Sequence, residues 1–302
     1  MELDGAIVCA EWALGIVAGA AVLLRIRGPV GHPSRRKRSV AVGVALCAFA
    51  SLEWSKRIEP YFPEVTHTRV PMLDAPFRIV LLSDFHAGRM HREDLAKAVA
   101  LANAEHPDVV LLAGDYISGY EMIAERAFAL EGLRGLVARL GVLAVMGNHD
   151  SEPYGDDIPR RDAVALVLRG FGYQVLANES VELGPVVVVG LEDVQAGRTD
   201  AVAARRNVPA GRTVITLAHD WHALPPEKLD LGLVGHTHGG QICMPFTQVC
   251  AGPRRDRPFV RGLYVWPRGG SIFVTNGLGL AKAPVRFGCR PEVAVLERGR
   301  GP

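Results

Sequence analysis

The chain is poor in cysteine, nearly balanced in charge, and free of internal repeats and low-complexity tracts. Its 302 residues include five cysteines and no CxxC pair, an odd count that argues against a disulfide framework. Cys243 and Cys250 could pair if that part of the chain faces an oxidising compartment, but C-x6-C without a second pair is not tetrahedral zinc spacing. Cys9 and Cys47 fall inside apolar runs and read as small buried hydrophobes. A formal net charge of +2 excludes a nucleic-acid binder held by phosphate neutralisation, which needs a strongly basic face. Apolar residues are 49% of the chain and charged ones 22%, and the apolar excess lies in the first 54 residues.

Those residues belong to a membrane. Gly5 to Leu24 is almost unbroken apolar sequence, broken by Glu11, and about 20 such residues cross a bilayer core. A loop with Arg25, Arg27, Arg35, Arg36, Lys37 and Arg38 comes next, then a second apolar stretch from Val40 to Trp54. The second stretch is short for a span and reads equally as a tilted or interfacial helix. Basic loops stay cytoplasmic, so two spans would put the remainder on the outer face of a bacterial cytoplasmic membrane. Alternatively, Ser34-Arg35-Arg36 resembles a degenerate twin-arginine signal with a cleavage site at Ala48-Phe49-Ala50. Both readings export the remainder of the chain. The expected organisation is a membrane anchor over 1–54 (spans 5–24 and 40–54), a proline-bearing linker over 55–76, and one domain over 77–298.

Within the domain, Phe77–Ser83, Asp108–Ala113 and Val142–Met146 read as buried strands. Helices are expected near Arg92–Glu105, Glu121–Leu140 and Arg161–Arg169. Continuous apolar strands alternating with helices predict a largely parallel sheet covered on both faces. Further strands at Val186–Leu191, Thr213–Ala218, Leu231–Val234, Leu263–Trp266, Ser271–Thr275 and Val293–Glu297 have less helix between them, which predicts an antiparallel or mixed second half.

Polar motifs follow these strands. Asp84-x-His86, Gly114-Asp115, Gly147-Asn148-His149-Asp150, Ala218-His219-Asp220 and Gly235-His236-Thr237-His238-Gly239-Gly240-Gln241 each stand at a strand end. Ligands of open α/β sheets bind beyond the carboxyl ends of the strands, so five distant segments deliver polar groups to one edge. Carboxylate, amide oxygen and imidazole without thiolate suit hard or borderline divalent metals. Two such ions about 3.5–4 Å apart can hold a bridging hydroxide and stabilise both entering and leaving oxygens, and Asp115 is the natural carboxylate to span them. Alternate residues of an extended chain point apart, so His236 and His238 suit two adjacent ions better than one. Singly, each motif has a bland reading: a chance D-x-H, a turn dipeptide, a helix cap, a satisfied strand-end histidine. Their order and placement carry the argument.

Together these residues resemble the motif series of the calcineurin-like metallophosphoesterases. GHTHGGQ, with Arg286 and Arg290-Pro291-Glu292, resembles the bacterial membrane-attached branch of that family. The resemblance covers Phe77 to Glu297. It implies a four-layer α/β/β/α sandwich and hydrolysis of a phosphoester or pyrophosphate by a metal-bound hydroxide. It also implies two divalent ions (Mn, Fe, Zn or similar). Asp84, His86, Asp115 and His238 would hold one ion, and Asp115, Asn148, His219 and His236 the other. His149 would stabilise phosphoryl oxygens or protonate the leaving oxygen, with Asp150 holding its imidazole. Ser118 stands where many members carry a second aspartate, a departure that bears on substrate more than on metal.

The implied partners are a phosphorylated small-molecule or lipid substrate and a membrane, with no nucleic acid. A family relative cleaves UDP-2,3-diacylglucosamine in lipid A synthesis, which makes that compound the specific substrate expectation. It is a cytoplasmic compound, whereas the basic loop places the domain outside. Rival readings are a catalytically silent membrane-tethered metal-binding module, a transporter accessory protein, and a phosphoprotein phosphatase. Arg89, Arg254, Arg255, Arg257 and Arg286 offer planar forks for a substrate phosphate, and His91 and His222 lie near site motifs.

Overall fold

A computed structural model describes residues 35–71, 77–118, 128–151, 158–244, 249–251 and 258–298. The first apolar stretch, the twin arginines' upstream flank and Arg254, Arg255 and Arg257 lie outside them. Two six-stranded sheets face each other. The first runs β1 (Glu64–Val70), β12 (Glu292–Arg298), β2 (Ile79–Leu82), β3 (Val109–Ala113), β4 (Val142–Val145), β5 (Gln174–Val175). The second runs β10 (Gly262–Val265), β11 (Ser271–Val274), β9 (Leu231–Val234), β8 (Thr213–Leu217), β7 (Val186–Gly190), β6 (Glu179–Leu183). β2 to β5 are parallel, as are β7, β8, β9 and β11, while β6 and β10 pair antiparallel on the second sheet's edges.

The strands are apolar at every position because both faces are covered. Ile79, Leu81 and Leu111 point between the sheets and meet Val188, Ile215, Leu233 and Phe273. Their neighbours Val80, Leu82, Val110 and Leu112 point outward onto α2 (Arg92–Ala104) and α3 (Ile158–Gly170). α2 buries Leu95, Ala98, Val99 and Ala102, one helical stripe. Beyond the second sheet, α4 (Ala201–Arg205) and the aromatic Trp266 cover Val189, Val214 and Ile272. The result is an α/β/β/α sandwich. Leu81 and Leu111 are both 0% exposed, and truncating such a leucine to alanine costs about 2–5 kcal/mol.

Several expectations need correction. Residues 55–76 are not a free linker, since β1 lies inside them and pairs in parallel with β12. Pro60, Pro63 and Pro71 flank that strand rather than interrupt it, and its half-exposed EVTHTRV pattern conceals an edge strand. The helix expected to reach Leu140 gives way to a short 3-10 turn at Glu131–Leu133, and Gly135 takes a positive φ of 98° that suits glycine. The second half is mixed, with a parallel centre. The short strand β5 and the edge strand β6 escaped the sequence pattern. Finally, α1 (Arg35–Arg57) extends the second apolar stretch to 23 residues, and Cys47 on it is exposed rather than buried. The stretch Ser39–Tyr61 is long and apolar enough to cross a membrane, and only 6% of its most apolar window is covered by protein.

Candidate metal centre

The carboxyl ends of β2, β3 and β4 meet those of β8 and β9 at one rim. Cross-sheet hydrogen bonds tie that rim together: His219 Nδ1 lies 2.7 Å from the Ala113 carbonyl, and the His236 N–H donates to Asp84 at 3.0–3.1 Å. Asp84, His86, Asp115, His236 and His238 all have φ between 46° and 69°, a left-handed backbone that costs L-residues roughly 1–2 kcal/mol each. Small neighbours permit the turns. A Cβ on Gly235 would lie 2.6 Å from Asp84 Oδ2, and one on Gly114 would lie 2.5 Å from the Gly147 nitrogen.

Two ligand groups result. In the first, His86 Nε2 faces His238 Nε2 at 3.0 Å, and His238 Nε2 is 3.4 Å from Asp84 Oδ1. In the second, His219 Nε2 is 2.9 Å from His236 Nδ1 and 3.2 Å from Asn148 Oδ1. Asp115 Oδ2 stands between them, 3.7 Å from His86 Nε2 and 3.2 Å from His219 Nε2. Asp84, His86, Asp115, His219 and His238 are at most 3% exposed and His236 is 7% exposed. His236 and His238 point into different groups, as two adjacent ions require. The half-buried His149 ring sits edge-on to His86 at 5.0 Å, and its backbone N–H donates to Asp115 Oδ1 at 2.9 Å.

These groups fit cations. Ligands about 2.1 Å from an ion and at right angles to one another lie about 3 Å apart, the spacing found between the facing nitrogens. His86 Nδ1 and His238 Nδ1 are buried without a hydrogen-bond partner among the described residues. Burial, the largest cause at each, holds both imidazoles well below the usual histidine range. They are therefore neutral, the form that ligates a metal. Asp84 is raised to about 6 by burial and by the Asp115 charge, against the lowering effect of His219. At His219, burial opposes the charged form but the Asp115 carboxylate outweighs it and pushes the pKa up. Asp115 is correspondingly held low despite its burial, by His219 and His149.

Asp150 acts differently from the expectation. Its 0% exposed carboxylate accepts four backbone N–H groups: Tyr116 (2.8 Å) and Ile117 (3.2 Å) on Oδ1, Asp115 (3.0 Å) and Gly147 (2.8 Å) on Oδ2. It binds the β3 and β4 loops to each other rather than steering the His149 ring. Arg286 is also reassigned. It is 0% exposed, and its guanidinium donates to the carbonyls of Asn276, Gly277, Gly279 and Cys289, so it clamps a loop and is withdrawn from substrate. His222 stacks on Trp221 and bonds Asp220 Oδ1 at 2.7 Å, and His91 caps α2 through its backbone.

Sequence reasoning missed Asp220 and Gln195, which lie 3.3 Å and 3.1 Å from His236 Nε2 and set the orientation of that ring. The available signal was position. Asp220 follows His219 directly, and Gln195 follows β7, another strand ending at the same rim. Cys243 and Cys250 are joined by a disulfide, a single bridge beside the His238–Gly240 turn.

Two sheets whose strand ends meet in a carboxylate-bridged imidazole cluster define a metal-dependent phosphoesterase. The sequence profile of the calcineurin-like phosphoesterase family matches residues 77–240, and the chain belongs to that family. It is a hydrolase acting on phosphoester bonds, and the fold carries two divalent metal ions. The chain is similar to the phosphodiesterase YaeI of Escherichia coli, with 30% identity over 87% of this chain and 98% of that one. It is similar also to the uncharacterized metallophosphoesterase YkuE of Bacillus subtilis, at 29% identity over 83% and 91%. A Danio rerio transmembrane protein with a metallophosphoesterase domain shares 28% identity over 76% of this chain and 56% of that protein.

Proposed function

We propose that the chain is a membrane-tethered hydrolase of a phosphoester or pyrophosphate, whose domain of residues 77–298 works on the extracytoplasmic face of a bacterial membrane. Asp84, His86, Asp115 and His238 hold one cation, and Asp115, Asn148, His219 and His236 hold the other. The observation that carries this reading is Asp115 Oδ2, a single oxygen placed between both imidazole groups. Two divalent cations held there supply Lewis acidity and lower the pKa of water into the neutral range.

The chain's own residues do the rest. Asp150 fixes the two loops, so Asp115 and Asn148 keep their spacing without reorganisation during the reaction. His149 is half-buried with its ring edge-on to His86, where it hydrogen-bonds phosphoryl oxygens and passes a proton to the leaving oxygen. Asp220 and Gln195 hold the His236 ring.

The tether favours a lipid or envelope substrate by raising its effective concentration at the domain, with UDP-2,3-diacylglucosamine as the specific compound to try. The external face is supported by the basic residues between Arg25 and Arg38, ahead of the second apolar stretch, and by the Cys243–Cys250 bridge, since such bonds persist in oxidising compartments. Protease digestion of the domain in intact spheroplasts tests the sidedness. Digestion only after lysis contradicts it.

The test of function is a panel of metals against substrates, bis-p-nitrophenyl phosphate included, on wild type and Asp115→Asn. The mutant loses bound metal and at least about a hundred-fold in turnover. Full activity in the mutant refutes the bridging role.

A further inference from the structure

Between Val40 and Ala50, α1 is apolar on all sides yet largely uncovered by the described residues: Val40, Val42, Leu46 and Phe49 are 54–63% exposed. A helix of this kind is buried by lipid when no protein covers it. Its last turn carries the marks of a bilayer surface, with Trp54 47% exposed and Lys56 and Arg57 exposed beside it. This end is bonded directly to the 286–290 segment, which packs against the His238 turn. The Ser55 carbonyl accepts from the Arg286 N–H at 2.9 Å, and the Phe62 carbonyl accepts from Arg290 Nε at 3.0 Å. Glu59, 4% exposed, accepts from Trp54 Nε1 and from the Cys289 N–H, both at 2.8 Å. Cys289 Sγ in turn lies 3.4 Å from the His238 carbonyl. The candidate metal centre is thereby held within a few residues of the helix end.

Exposed apolar side chains surround the same segment. Ile58 (36% exposed) and Phe62 (58%) follow the helix. Met244 (45%) and Val249 (62%) flank the disulfide, whose Cys243 N–H donates to the Phe287 carbonyl at 2.7 Å. Exposed Lys56, Arg57, Lys282 and Arg290 lie on the helix end and along the 282–290 segment. Apolar side chains among cations fit the headgroup layer of an anionic bilayer.

We infer that the face formed by the α1 end, the 286–291 segment and the residues Met244 and Val249 beside the disulfide rests on an anionic phospholipid surface, so that the metal centre works at headgroup depth. The inference rests on the proposed membrane tether. A phosphoester whose tail stays in the bilayer reaches such a site without leaving the membrane.

The test uses the full chain in phosphatidylglycerol–phosphatidylethanolamine vesicles, with p-benzoylphenylalanine replacing Phe62 or Val249. Leu166 on α3 and Val202 on α4, 71% and 82% exposed, serve as distant comparators, and Leu46 reports on the tether. Hydrolysis of bis-p-nitrophenyl phosphate shows that each variant is folded. Expected are lipid adducts at positions 46, 62 and 249 and none at 166 or 202. Adducts at 46 without any at 62 and 249 leave the tether standing and overturn the docked face, as do adducts at every position. Loss of the adduct at 46 as well overturns the tether and this inference together.

Discussion

Asp150→Asn separates a loop-binding role from a histidine-steering one. The substitution keeps the side chain's volume, so no cavity enters the account. It turns one oxygen into an NH2 group, and each oxygen of Asp150 accepts two buried N–H groups. Whichever way the amide turns, two N–H groups face a donor. A buried donor left unpaired costs about 1–3 kcal/mol, so the pair costs roughly 4 kcal/mol. For a domain of this size each kcal/mol lowers Tm by about 2–4 °C, which gives a fall of roughly 8–16 °C. The assay is thermal unfolding of metal-free wild type and mutant in the same detergent, so that differences in metal binding do not contribute. Metal content after reloading is measured separately and falls too, because the displaced Asp115 N–H belongs to the bridging residue. If the mutant keeps its Tm and its metal and loses only turnover, Asp150 steers His149 and the loop argument is wrong.

Gly235→Ala pushes a methyl against Ser83 and Asp84 Oδ2, costing about 1–3 kcal/mol and depleting the Asp84–His86–His238 group of metal, as read by metal analysis. Arg286→Met leaves the buried carbonyls of Asn276, Gly279 and Cys289 without their donor, and stability falls by about 3–5 kcal/mol in denaturant titration. An unchanged midpoint would show the guanidinium to be dispensable. Asp220→Asn weakens metal affinity about 10–100-fold by freeing the His236 ring, measured by competition with a chelator. Thiol titration of the denatured, unreduced chain finds three of its five cysteines reactive, and five would contradict the Cys243–Cys250 bridge.

The polar strand-end motifs and the apolar strands were readable because each is a local pattern with a local cause. Buried parallel strands must be apolar throughout, and a glycine before Asp115 or His236 signals a backbone that turns at once. β1 was not readable, since a half-exposed edge strand among prolines owes its existence to β12, more than 220 residues later in the chain. Asp220 and Gln195 could be placed near the rim by position, but not assigned to one ring: a single nitrogen of His236 draws them together, and no spacing encodes that. Arg286 and Asp150 show the limit most plainly. A charged side chain in a sequence announces what it can bond, and by type alone both suit a role facing substrate or its histidine. Only packing decides which partners remain once water is excluded, and here those partners are backbone carbonyls and N–H groups. Residue types and order thus determined the family of chemistry, while which polar groups meet at the rim and which tie loops together came from the close packing of two sheets.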